Sequence, residues 1–114
     1  MTGSLFHTST ALDAHVAGLR LVGALDLDGT AQLRAAFADC FTRPNDCVVL
    51  DLSGLRFCDC AGLGVLLEAK ATADSIGTEL CVEGACGQVA RLLALTGVDE
   101  VFAGGVPRLP PRTV

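Results

Sequence analysis

CVVLDLSGLRFCDCAGLGVLLEAKA, residues 47–71, is the stretch whose reading decides the fold. Cys47-Val48-Val49-Leu50 has the length and β-branched content of a buried strand. Asp51 to Leu55 then carries the chain out of that strand, and Phe57-Cys58-Asp59-Cys60 leads into helical spacing. Leu63, Leu66 and Leu67 form one stripe of that helix, and Ala61, Val65, Glu68 and Thr72 form another. Strand, loop and helix in this order put Asp59 and Cys60 where the first backbone N–H groups of a helix lack intrahelical partners. Such a spot favours negative charge, a phosphate included.

Upstream, Leu5 to Thr10 reads as an edge strand with Asp13-Ala14 as its turn, and residues 1–4 as a frayed end. Val16 to Val22 is a stronger strand, in which Ala17, Leu19 and Leu21 alternate with Gly18 and Arg20. Gly23 permits a bend or bulge before Ala24-Leu25-Asp26. In Asp26-Leu27-Asp28-Gly29-Thr30, either Asp28 or Thr30 is expected to cap the next helix. Leu33, Ala36, Phe37, Cys40 and Phe41 recur there at amphipathic spacing, up to the turn residues Arg43-Pro44-Asn45-Asp46.

Downstream, Asp74 to Gly77 ends the central helix, Thr78 to Val82 is a strand and Glu83-Gly84 a turn. Cys86 to Thr96 forms a short helix with Val89, Leu92 and Leu93 inward and Gly97 as a left-handed C-cap. Val101-Phe102 is expected as a terminal strand stub or an anchoring contact. The order β, β, α, β, α, β, α predicts an α/β fold: a single domain over residues 5–102, with a small mixed four- to five-stranded sheet and about three to four helices packed against it. Strands separated by helices should pair in parallel. Residues 103–114 form a Pro/Gly-rich C-terminal tail.

The net charge of −5 argues against non-specific nucleic-acid binding and against attraction to an anionic membrane surface. Met1 to Thr10 has no Lys or Arg ahead of an apolar run, and no apolar run approaches the ~18 residues of a membrane span, so a cytoplasmic location is expected. Cys40, Cys47, Cys58, Cys60, Cys81 and Cys86 are then read as reduced thiols, small hydrophobes where they fall on apolar faces. With no paired CxxC, and His7 and His15 isolated near the N-terminus, neither a metal nor a cofactor is expected.

One stretch resembles a catalytic motif. Asp26-Leu27-Asp28-Gly29-Thr30 is similar to the DxDGT motif of haloacid-dehalogenase-like phosphatases, whose first Asp is a nucleophile. That chemistry also needs a positioned Lys and carboxylates for Mg²⁺. The only Lys is Lys70, in the central helix, and Asp99-Glu100 is the sole acidic pair downstream. A turn with an N-cap is the preferred reading, and no enzyme is expected.

Three pieces together resemble the STAS family, best known for its anti-sigma factor antagonists. Leu21-Val22-Gly23-Ala24-Leu25-Asp26 is similar to the family's "LxGxLD" strand end, and Val48 to Leu55 to its "vvlDLSgv" strand. Phe57-Cys58-Asp59-Cys60-Ala61-Gly62-Leu63-Gly64 matches its "fxDSSGLgxL" loop in all but the two serines. The resemblance implies a bacterial regulator of transcription that works by partner switching: a non-enzymatic module binding an anti-sigma factor of the serine-kinase (GHKL ATPase) type. It also implies that the kinase phosphorylates the hydroxyl after the loop Asp and thereby breaks the complex. Here that position is Cys60, followed by Ala61, and Leu55 to Ala71 contains no Ser, Thr or Tyr. The expected partner-binding residues are Asp59, Cys60, Ala61, Gly62, Val65 and Glu68, with Asp26 and Asp28 from the neighbouring loop. Two alternatives stand beside it: a thiol-based redox-sensing variant using Cys58 or Cys60, and a small Asp-dependent phosphatase using Asp26 and Asp28. A homodimer is left open.

Overall fold

In the computed structural model, which describes residues 6–12, 15–42 and 47–104, nine elements succeed one another. They are β1 (Phe6–Leu12), β2 (Val16–Leu25), a 3₁₀ turn (Leu27–Gly29), α1 (Thr30–Phe41), β3 (Cys47–Cys58), α2 (Cys60–Ile76), β4 (Glu79–Glu83), α3 (Gly87–Thr96) and α4 (Val98–Gly104). The strands form one mixed sheet in the order β1-β2-β3-β4. β1 is antiparallel to β2, whereas β2, β3 and β4 are parallel, as helical crossovers require.

Period-two alternation sorts the sheet into two faces. Ala17, Leu19 and Leu21 of β2, Val48, Leu50 and Leu52 of β3, and Leu80 of β4 point into the core. There they meet Leu33, Phe37 and Cys40 of α1, Leu63, Val65 and Leu66 of α2, Val89 and Leu93 of α3, and Val98 and Phe102 of α4 in one cluster. The intervening residues, among them Gly18, Arg20, Cys47, Val49, Asp51, Glu79 and Cys81, are half-buried or exposed on the other face.

Several expectations need correction. β3 does not end at Leu50 but continues to Cys58. Arg20 pairs with Asp51 and Val22 with Gly54, so β3 carries an extra residue and bulges instead of leaving the sheet. The Asp51 carboxylate accepts from the Ser53 N–H at 2.9 Å inside that bulge, and Ser53 holds its carboxyl below the usual range. Gly54 is closely packed there: a Cβ would lie 3.0 Å from Val22 Cγ2 and 3.2 Å from the Leu21 carbonyl oxygen.

Neither Asp28 nor Thr30 caps α1. Its N-cap is Gly29, without a side-chain bond, while the Asp26 side chain caps the preceding 3₁₀ turn and the Thr30 hydroxyl donates to the Leu27 carbonyl. On α2 the buried stripe is Leu63, Val65, Leu66, Ala69 and Ala73; Leu67 lies outside it. Val101-Phe102 belongs to α4, not to a strand, and Phe102 is the anchoring contact. α4 reaches Gly104. The expected frayed end at residues 1–4, the turns at 13–14 and 43–46 and the tail from residue 105 lie outside the described residues. Gly77 and Gly97 are left-handed after α2 and α3, at φ 76° and 78°.

Candidate functional site

The carboxyl ends of β2 and β3 stop side by side, where α/β sheets commonly place their sites. Leu25 and Cys58 are paired there, and the Asp59 N–H donates to the Leu25 carbonyl at 3.1 Å. From this tie each chain runs Asp-x-x-Gly: Asp26-Leu27-Asp28-Gly29 and Asp59-Cys60-Ala61-Gly62. Asp59 is extended, and its Oδ1 accepts from the Gly62 N–H at 3.0 Å while its carbonyl accepts from Leu63 at 2.9 Å. It is therefore the N-cap of α2, satisfying one of the helix's unpartnered donors. Asp26 Oδ1 accepts from the Asp28 N–H at 3.1 Å.

Both glycines lie against the buried Leu25. A Cβ on Gly62 would stand 2.6 Å from Leu25 Cγ and 3.1 Å from Cys58 Sγ, so only a bare Cα lets α2 start this close to the strand end. At Gly29 the nearest approaches are 3.1 Å to Phe6 Cδ2 and 3.3 Å to Leu25 Cδ1.

The two cysteines of the loop have opposite environments. Cys58 is buried, and α3 grips its backbone: its N–H donates to Gln88 Oε1 and its carbonyl accepts from Gln88 Nε2, both at 2.9 Å. Burial, with the nearby Asp59 and Cys60 adding to it, pushes the Cys58 thiol up to about 12, so it stays neutral and unreactive. Of the two thiols expected as alternatives for a redox sensor, Cys58 is the buried one. Cys60 is exposed. None of the six cysteines is in a disulfide.

The expected partner-binding residues divide by exposure. Cys60, Asp28 and Glu68 are exposed, and Asp26, Asp59 and Ala61 are half-buried. Gly62 and Val65 are buried, so neither presents the outward surface expected of it; Val65 sits at the base of a groove between α1 and α2, beside Arg34, Phe37, Phe41 and Glu68. Glu68 is held by Arg34 in a forked ion pair with both bonds at 3.0 Å. Leu27, 70% exposed between the two acidic residues, was not singled out from sequence, although a Leu in a polar turn was the available signal. Gln88 gave no signal, because its role depends on where α3 docks.

Among the described residues, no phosphatase constellation forms around Asp26. One of its carboxylate oxygens serves as a turn cap, and the ammonium of Lys70 is paired with Asp74 at 2.7 Å. Asp99 and Glu100 lie in the first turn of α4. Among the described residues, no helix is long and apolar enough to cross a membrane.

Comparison with known proteins places this geometry. Residues 8–108 match the family model described as Mlab, STAS domain. The fold is similar to that of an anti-sigma factor antagonist from Mycobacterium paratuberculosis, with a TM-score of 0.73 at 21% identity over 85% of this chain and 82% of that one. It is also similar to the phosphorylated form of the Bacillus cell fate determinant SpoIIAA, with a TM-score of 0.65 at 18% identity over 83% of this chain and 86% of that one. A sulfate transporter family protein from Wolinella succinogenes shares it too, with a TM-score of 0.67 at 17% identity over 81% of this chain and 75% of that one. At these identities the likeness to solved structures is one of fold.

Proposed function

Because the chain belongs to the STAS domain family, we propose that it is a regulatory protein-binding module, antagonist-like, whose docking surface is the first turn of α2 together with the Asp26–Asp28 turn. The observation that carries this reading is the exposed Cys60 placed directly after Asp59, the residue whose side chain caps α2. A surface held by two side-chain caps and seated on Leu25 loses little freedom when a partner arrives. Leu27 supplies an apolar contact flanked by Asp26 and Asp28, and Asp59 on the adjoining loop adds negative charge, which suits a partner presenting basic residues. The partner class is an anti-sigma factor of the serine-kinase (GHKL ATPase) type, in a bacterial cytoplasm. Gly62 and Val65 act from beneath the surface by setting where it lies.

A phosphate at position 60 would bring about −1.5 to −2 of charge beside Asp59. The helix N-terminus offsets only about 0.3–1 kcal/mol of the resulting penalty. Cys60 has no hydroxyl to receive a phosphate, and so the module binds without being released by its partner's kinase activity. Capture of a kinase-type anti-sigma factor with and without ATP tests this. The wild-type complex should persist in both, and Cys60→Ser should take up phosphate and be released by ATP. ATP-driven loss of the wild-type complex, with phosphate on this chain, refutes the reading.

The exposed thiol of Cys60 favours one second reading, in which two successive equivalents of hydrogen peroxide, each reduced to water, oxidise it through the sulfenic acid to a sulfinate that installs the negative charge instead. Thiol-labelling rates discriminate: Cys60 must react faster than the buried Cys58 and Cys40 for this reading to stand.

A further inference from the structure

The parallel register of β3 and β4 assembles a second group of chemically active side chains, at the amino ends of these strands and on the face that the core does not use. Cys47 stands opposite Glu79, and Val49 opposite Cys81. Glu79 and Cys81, two residues apart, share a face of β4, and Cys47 lies on the same face of β3. The Cys47 and Cys81 sulfurs are 3.7 Å apart, and one Glu79 carboxylate oxygen completes a set of three donor atoms that all lie within 4.8 Å of one another. We propose that Cys47, Glu79 and Cys81 form a binding site for a soft divalent cation of the zinc class.

Three features carry this. Two sulfurs bound at about 2.3 Å to one tetrahedral centre stand about 3.8 Å apart, so the observed sulfur separation already fits a shared metal. The donor set, two thiols and a carboxylate, selects zinc, cobalt or cadmium over magnesium or calcium, which take oxygen donors. Finally, Cys47 and Cys81 are half-buried and Glu79 is exposed. The fourth coordination position therefore faces solvent, which is the arrangement of an exchangeable site and not of a closed structural one. Binding releases the two thiol protons to solvent and forms two metal–sulfur bonds, with no change in oxidation state. The site is separate from the docking surface at the carboxyl ends of β2 and β3, and its test does not depend on that surface.

Cobalt(II) titration of the full chain in reductant reads the site directly. The wild-type chain should bind one equivalent, with thiolate-to-cobalt charge transfer in the near ultraviolet and tetrahedral ligand-field bands in the visible, both removed by zinc. Cys47→Ser and Cys81→Ser should each weaken binding by more than the ~10–100-fold typical of losing a mere supporting partner, and each should lower the charge-transfer intensity by about half. Glu79→Gln, at an exposed position where the fold is not at stake, should weaken binding with the charge-transfer band retained at saturation. Cys86→Ser should leave every signal unchanged. Absence of the bands from the folded wild-type chain overturns the proposal. So do undiminished bands in Cys81→Ser, or a Cys47–Cys81 disulfide that persists in reductant in place of metal binding.

Discussion

Asp26-Leu27-Asp28-Gly29 and Asp59-Cys60-Ala61-Gly62 are the same local device used twice. Each leaves a parallel strand, each begins with an aspartate that caps the next turn, and each ends on a glycine lying against Leu25. They differ in the element that each aspartate caps. Asp59 caps the 17-residue α2, whose first turns bury Gly62, Leu63, Val65 and Leu66. Asp26 caps a 3-residue turn that leaves Leu27 in solvent, and α1 then starts on Gly29 with no side-chain cap. A cap is thus worth what the capped turn buries, and the lesson can be tested by attacking the two loops in parallel.

The largest effect is expected where the loops meet. Leu25→Ala removes a fully buried side chain that both glycines touch, and should cost about 2–5 kcal/mol in urea denaturation while abolishing partner capture. An unchanged affinity in this variant would show that the loops do not need their common support. Next come the glycines. Gly62→Ala must displace Leu25 or α2 and should cost about 1–3 kcal/mol. Gly29→Ala should cost less, since its contacts begin at 3.1 Å instead of 2.6 Å and fall on the edge of the Phe6 ring. The reverse order would break the comparison.

Substituting the caps separates structure from recognition. Asp59→Ala should lose about 0.5–2 kcal/mol, and Asp26→Ala should fall at or below the bottom of that range. Asp59→Asn retains a capping oxygen but not the charge, so it should melt with the wild type while binding its partner more weakly and with less dependence on salt. If Asp59→Asn binds as the wild type does, the carboxylate contributes only its cap.

Much of this was legible in the sequence, because it rests on local pattern. The spacing of Leu33, Phe37 and Cys40 locates α1, and Gly77 and Gly97 mark the helix ends. Asp59 before an apolar helical run reads as the start of α2. The parts that were not legible depend on neighbours remote in the chain. Asp51-Leu52-Ser53-Gly54 has turn chemistry, and only the alignment of β2 beside it makes the segment a bulge within a continuous strand. The grip of Gln88 on Cys58, and the meeting of Cys47 with Glu79 and Cys81, likewise come from docking and register. Val65 was misplaced for a different reason: α1 packs on the flank of α2, so the buried arc is wider than a single leucine stripe.

The smallest effect belongs to the outer edge of the docking surface, at Arg34 and Glu68. Their forked pair is exposed, and two long side chains lose freedom to hold one geometry, so Glu68→Gln should leave the unfolding midpoint nearly unmoved. What stabilisation exists has a defined pH dependence. The hydrogen bonds from Arg34 hold the Glu68 carboxyl below its ordinary 4.5, so the folded chain binds that proton less readily than the unfolded chain. Stability from the pair is present above 4.5 and is lost as the pH falls through the lower folded value. Wild-type and Glu68→Gln unfolding curves should therefore converge in acid, and at neutral pH in high salt. A larger loss in partner binding than in stability would assign Glu68 to recognition; equal small losses would leave Asp26, Asp28 and Asp59 as the carboxylates that matter there, and would confine the functional difference between the two loops to their first turns.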